Sequence, residues 1–231
     1  LEFRRVLFRS ADAVASNGDV VHSYGLIQGS DRGQQQVRAL KRKRFSPGLF
    51  VLHFGLEGTS DLAHHTILFG PRYGGLVNDI YKTGRLATDP SLYIHHPTIT
   101  DPSMAPPGCS TFYALAPVPN AGKADVDWAV EGPKYREVVL DTIAERLIPD
   151  VRERIRTIFH YTPADFSTDL AAHLGSAFSL EPVLWQSAWF RTHNRDDKLR
   201  NLYFVGAGTH PGAGIPGVVG SAEATAGLML A

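Results

Sequence analysis

The run Gly206-Ala207-Gly208-Thr209-His210-Pro211-Gly212-Ala213-Gly214 is dense in glycine and sits between two segments of different character. Asn201-Leu202-Tyr203-Phe204-Val205 before it is a β-run, and Ile215 to Leu230 after it is small and apolar enough for a buried helix. Glycines let the backbone adopt positive φ and approach a ligand closely. The free N–H groups at the start of a helix favour negative charge. Strand, glycine turn and helix together therefore suit an anionic group. A bare tight turn uses the same residues, and Thr209 and His210 read equally well as ligand contacts or as ordinary turn residues.

The other residues that could do chemistry are weaker. Ten histidines raise metal ligation, above all at His64-His65 and His95-His96. Neighbours along a strand point to opposite faces, so neither pair is expected to share an ion and no metal site is expected. Asp101 and Glu181 lie near aromatic segments and are proton acceptors only in that sense; surface or hydrogen-bonded structural roles account for them more simply. No catalytic base is assigned. A single cysteine, Cys109, excludes an internal disulfide framework and a multi-cysteine zinc site, and suits a reducing compartment. The aromatics Phe50, Phe54, Phe112, Tyr113, Phe178, Trp185, Trp189 and Phe190 either line a long apolar channel or pack an ordinary core.

These groups need a scaffold, and 231 residues with 43% hydrophobic and 20% charged content can supply one large or two small domains. Lys+Arg and Asp+Glu each total 23, so the chain carries no footprint of a nucleic-acid partner. No stretch approaches the roughly eighteen apolar residues of a membrane span, so contact with lipid is expected from the surface. Leu1–Ser10 has neither the h-region nor the cleavage site of a signal peptide. It resembles a translated sequencing adaptor and is expected to be an artefact, with the gene truncated upstream. Residues 13 to 21 read as short strands around Asn17-Gly18, and 28 to 44 as a polar surface connector. The basic run Lys41-Arg42-Lys43-Arg44 that closes it is either solvated or a contact with anionic lipid headgroups. Strands are expected at Leu49 to Leu56, His64 to Phe69, Ser91 to His95 and Ser110 to Ala116. Helices are expected at Gly75 to Lys82, at Pro133 to Leu147 with Pro133 in the first turn, and over Phe166 to Leu174 behind a Thr162-Pro163-Ala164-Asp165 capping box.

Across most of this pattern the sequence resembles the bacterial and fungal type of phytoene desaturase, a family of flavoprotein carotenoid desaturases. The resemblance is carried by NLYFVGAGTHPGAGIPGVVGSAEATAGLML at 201–230, FVLHFGL at 50–56, LAHHTILFGPRY at 62–73, TDPSMAPPGCSTFYALAPVPN at 100–120, TPADF at 162–166 and GSAFSLEPVLWQSAWFRTHNRD at 175–196. It implies an FAD-dependent oxidoreductase that removes hydrogen from phytoene, on a fold shared with amine oxidases. The expected class is α/β plus α+β. A Rossmann-like FAD-binding domain, incomplete because its N-terminal βαβ with G-x-G-x-x-G is missing, would carry an inserted substrate domain built on a mixed or antiparallel sheet and helices. The boundaries expected are 11–22 with 197–231 for the FAD-binding part, 23–44 and 191–196 for connectors, and 45–190 for the substrate domain.

By resemblance and by the dipole argument, Gly206, Gly208, Thr209, His210, Gly214, Pro216, Gly217 and Val218 are assigned to the cofactor region. A helix starting near Pro216-Gly217-Val218 would stabilise charge on a reduced flavin. The partners implied are the apolar polyene phytoene and a membrane surface, with a cytoplasmic, peripherally membrane-associated location. The electron acceptor, quinone or oxygen, is left open. A related carotenoid isomerase, a desaturase of a shorter polyene, or a non-catalytic prenyl-binding protein of the same fold are the alternatives. As a C-terminal fragment, the chain alone is expected neither to retain FAD nor to turn over substrate.

Overall fold

The computed structural model describes residues 10–231; of the expected artefact at Leu1–Ser10, all but Ser10 lies outside the described residues. In chain order the elements are β1 (Val14–Ser16), α1 (Val20–Gly25), α2 (Asp31–Leu40), β2 (Gly48–Glu57), β3 (His65–Leu68), α3 (Tyr73–Asn78), β4 (Leu92–His95), β5 (Cys109–Val118), α4 (Trp128–Arg146), α5 (Val151–Arg154), β6 (Ile155–Tyr161), α6 (Pro163–Asp169), β7 (Leu202–Phe204) and α7 (Ile215–Leu230). They form a parallel and an antiparallel sheet in a mixed α/β arrangement. The chain divides into two units, one of residues up to Arg44 with Ser179–Ala231, the other Phe45–Phe178.

In the second unit a five-stranded antiparallel sheet has the order β3-β4-β5-β2-β6. Strand alternation sorts its residues. Phe50, Leu52, Phe54 and Leu56 of β2, Phe112 and Ala114 of β5 and Ile94 of β4 point to one face. That face packs on Tyr135, Val139, Leu140 and Ile143, which recur at helical spacing along α4. The opposite face carries one row of rings across all five strands, because Phe159, His53, Tyr113, His95 and His65 are successive register partners.

Several elements differ from the sequence expectations. The helix containing Pro133 starts at Trp128, where Asp127 caps it by accepting from the Ala129 N–H at 3.1 Å, so the proline lies inside α4 and not in its first turn. The capping box forms as read, with Asp165 Oδ2 accepting from the Thr162 N–H at 2.7 Å and the Thr162 hydroxyl at 2.6 Å. The helix behind it ends at Asp169, however, not near Leu174. β6 was not expected at all.

In the first unit β1 and β7 pair in parallel. Val20 and Val21 do not continue β1 as expected; Asp19 accepts from the N–H groups of Val21 and His22 and opens α1. The expected connector at 23–44 is mostly helix, since Ser30 caps α2. Its closing residue Arg44 pairs with Glu181 at 2.7 Å, and the Glu181 N–H donates to the Arg44 carbonyl at 2.9 Å. Residues 179–190 accordingly join this unit, where the sequence reading placed them in the substrate domain. Tyr24 and Phe204 pack ring to ring at 4.7 Å in its core.

Candidate functional site

β7 runs into the glycine turn and the turn into α7, so Gly206, Gly208, Thr209, His210, Gly214, Pro216, Gly217 and Val218 come together as one strand-turn-helix corner. Gly206 and Gly214 have φ of 107° and 90°, which a side chain would strain. A Cβ on Gly217 would lie 2.6 Å from the Gly212 carbonyl oxygen, so the first turn of α7 fits against the loop only without one. Among the described residues no side chain caps α7 at Gly214; Pro216 has no N–H and the Val218 N–H donates to the Gly214 carbonyl at 2.9 Å, which leaves the Ile215 and Gly217 amides for an external acceptor.

The corner is held from behind by buried polar groups. The Thr209 hydroxyl donates to the Gly206 carbonyl at 2.9 Å and so accepts from the Ser221 hydroxyl at 2.7 Å. Thr209 is completely buried, and its hydroxyl bonds shape the turn. The Asn194 amide points at the His210 carbonyl (3.0 Å), the Ser221 hydroxyl (3.0 Å) and the Thr225 hydroxyl (3.1 Å), tying the turn to the second and third turns of α7. Buried Arg191 donates from Nε to the Ala207 carbonyl at 3.0 Å, and burial lowers its pKa from the ordinary guanidinium value. His210 is different. Its Nδ1 is buried with no hydrogen-bond partner among the described residues, as are Thr192 Oγ1 and Ser179 Oγ. His210 also lines a cleft of about 480 Å³ with Trp189, His193, Asn194, Ala224 and Leu228.

Beside this corner, Asp196 accepts from the Tyr24 hydroxyl at 2.8 Å and from Arg32 Nε at 3.0 Å, and its side chain is fully buried. Sequence reasoning missed Arg191, Asn194, Asp196, Ser221 and Thr225. The one signal, for Arg191, Asn194 and Asp196, was a group of polar residues between an aromatic run and a β-run, which reads as a surface loop; Ser221 and Thr225 lie in α7 and gave none.

The remaining candidates separate clearly. Asp101 is exposed and accepts from the Ser103 hydroxyl (2.6 Å) and N–H (3.0 Å), and the hydroxyl bond foremost lowers its carboxyl pKa. Glu181 is held by Arg44. Both have structural partners. Phe50, Phe54 and Phe112 belong to the core, whereas Phe178, Trp185, Trp189 and Phe190 are exposed. The histidine pairs do not behave alike. His96 turns inward and stacks on Phe112 at 4.2 Å, away from His95 as alternation requires. His64 precedes β3 and escapes that rule; its ring lies 4.4 Å from His65 and 4.8 Å from His95. The premise that adjacent histidines diverge therefore fails at His64-His65. Among the described residues no helix is long and apolar enough to cross a membrane.

No family model matches the chain. Over 96% of its length it is 62% identical to a phytoene desaturase (lycopene-forming) of a Paracoccus species, covering 44% of that protein. A second such protein, from Pseudescherichia vulneris, is 59% identical over 95% of the chain and 45% of its own length. A phytoene desaturase (neurosporene-forming) of Rhodobacter capsulatus is 49% identical over 95% of the chain and 43% of its own length. The chain thus spans less than half the length of these relatives. Among solved structures, an oxidoreductase from Methanosarcina mazei superposes with a TM-score of 0.56 at 18% identity, over 96% of this chain and 44% of that one, a likeness of fold.

Proposed function

We propose that the chain belongs to the phytoene desaturase family and forms part of an FAD-dependent enzyme which introduces double bonds into phytoene on the way to lycopene. The identity of 62% to a lycopene-forming relative, against 49% to a neurosporene-forming one, supports lycopene as the product. The observation that carries the cofactor reading is the corner at Gly206–Val218, read as part of a Rossmann-like FAD-binding domain. It combines an uncapped helix start, a close approach that only glycine permits at Gly217, and the buried, unpartnered His210 Nδ1. These residues fit a polar, partly anionic group.

FAD, when bound, supplies the acceptor for the hydride equivalent removed from the hydrocarbon. The chain's own part is positional and electrostatic. The Ile215 and Gly217 amides in the first turn of α7 direct their partial positive charge at the place where negative charge develops. Asn194, Thr209 and Arg191 hold the turn rigid so that this field needs no reorganisation. His210 presents Nδ1 as a donor or acceptor to the cofactor.

Phytoene is a bilayer-soluble substrate, and the enzyme must reach it at a membrane surface. Leu184, Trp185, Trp189 and Phe190 are 86%, 65%, 70% and 62% exposed. Lys43, from the basic run, donates to the Phe190 carbonyl at 3.0 Å. Exposed aromatics beside basic residues match the requirements of interfacial binding on the cytoplasmic leaflet.

The test is a chimaera in which this chain replaces the matching segment of the Paracoccus relative. Expected are a bound-flavin spectrum and conversion of colourless phytoene into a coloured polyene in liposomes. A soluble, folded chimaera without flavin would overturn the cofactor reading. One with flavin that leaves phytoene unchanged, while the parent converts it, would overturn the substrate.

A further inference from the structure

We propose that His64, His65 and His95 form a binding site for a zinc-class divalent metal ion at the β3–β4 edge of the five-stranded sheet. One ligand nitrogen from each residue lies within 4.8 Å of the other two. The arrangement arises from register: His65 and His95 are direct partners across the antiparallel pair, and His64 sits just before β3, where its ring folds back over both. His64 Nε2 and His95 Nε2 are already 2.8 Å apart. Two imidazole nitrogens on one tetrahedral zinc, each at about 2.0–2.1 Å, are roughly 3.3 Å apart. Seating the ion opens that pair by about half an ångström and draws in His65 by side-chain rotation on an edge strand.

The surroundings prepare the His64 lone pair, and the ion displaces the proton that His95 Nε2 then holds in the 2.8 Å contact. The Thr100 hydroxyl donates to the Pro97 carbonyl at 3.1 Å, so at its 2.7 Å contact with His64 it must accept from Nδ1–H. This fixes the His64 tautomer and leaves Nε2 as a bare donor to a metal, the role that outer hydrogen bonds play at zinc sites. The Tyr93 hydroxyl lies 2.7 Å from His65 Nδ1 and holds that ring in place. Three imidazoles and no thiolate select zinc, copper or nickel over magnesium or calcium, and a fourth position stays open to water or a small anion. Bound there, the ion would staple the edge strand β3 to β4.

The test is a titration of the tag-free chain with Co²⁺ as a spectroscopic substitute for zinc. Expected is an intense visible band of four-coordinate cobalt that saturates at one equivalent and is bleached by Zn²⁺. His65→Gln and His95→Gln should each weaken binding by about tenfold or more, while His22→Gln and His193→Gln leave it unchanged. Thr100→Val, which removes only the outer hydrogen bond, should also weaken it by about tenfold with an unaltered circular dichroism spectrum. Absence of a saturable band in the unmodified chain, or binding by His65→Gln and His95→Gln equal to it, would overturn the site.

Discussion

Replacing Asp196 by Asn removes the charge that two other elements of the first unit converge on. The carboxylate accepts from Tyr24 of α1 at 2.8 Å, from Arg32 of α2 at 3.0 Å, and from the Lys198 and Leu199 N–H groups at 2.9 and 2.8 Å. Its side chain is completely buried and that of Arg32 is only 12% exposed. Breaking a buried pair by removing one partner costs about 3–5 kcal/mol, because the other charge is left uncompensated. With a urea slope of about 2 kcal/mol per molar, the midpoint of this unit should fall by about 2 M.

Asp197 supplies the internal control. It lies 3.7 Å from the same Arg32 but is 72% exposed, so Asp197→Asn should cost less than about 1 kcal/mol. Amide exchange of peptides from α2 and β7, read by mass spectrometry across a urea series, reports this unit separately from Phe45–Phe178. A midpoint for Asp196→Asn that coincides with that of Asp197→Asn would refute the reasoning. The acid limb is a second check. Burial pushes the Asp196 carboxyl up, but Arg32, the Leu199 N–H, Tyr24 and the Lys198 N–H together outweigh it and bring the pKa below its ordinary value. The unfolded chain therefore takes up this proton at higher pH than the folded one. The stabilisation is complete above the unfolded carboxylate value of about 4 and is lost as pH falls through the folded value, a limb that Asp196→Asn should flatten.

Phe54→Ala should cost about 3–5 kcal/mol in a urea titration read from unit-two peptides, because this buried ring stacks on Phe112 at 5.1 Å. Gly208→Val should lower the melting temperature by an amount equivalent to about 1–3 kcal/mol, since even a Cβ there would lie 2.8 Å from Val20 Cγ1 and 3.0 Å from Ser179 Oγ. Asp165→Ala removes the acceptor for both Thr162 groups and should cost about 0.5–2 kcal/mol, with faster exchange confined to the start of α6.

Periodicity was enough to read β2, β4 and β5, because continuous or alternating apolar residues there face a single core. The strand-turn-helix corner was readable because its glycines have little other use. α2 was not, since Gly33 and Leu40 are its only buried residues and its glutamine-rich surface looks like a loop. β6 was hidden for a related reason: none of its residues is fully buried, and its pairing to β2 is supplied by backbone bonds that composition does not reveal. The polar network behind the corner stayed invisible because Asn194, Asp196 and Arg191 become buried through partners distant in sequence. The histidine cluster escaped because alternation describes one strand, whereas His65 and His95 meet across two.

The ring row from Phe159 through His53, Tyr113 and His95 to His65 makes strand register act as a reading frame for the second unit. A one-residue slip of β2 would carry His53 into the apolar layer and turn Leu52 and Phe54 out to water, and every partner strand would be misread with it. Insertions or deletions inside β2 and β5 are thus frameshifts of a face, whereas the same changes in the loops that join them leave the message intact. The one tolerated shift is built in, between Gly55 and Leu56, where β6 steps over and the row has already been spelled.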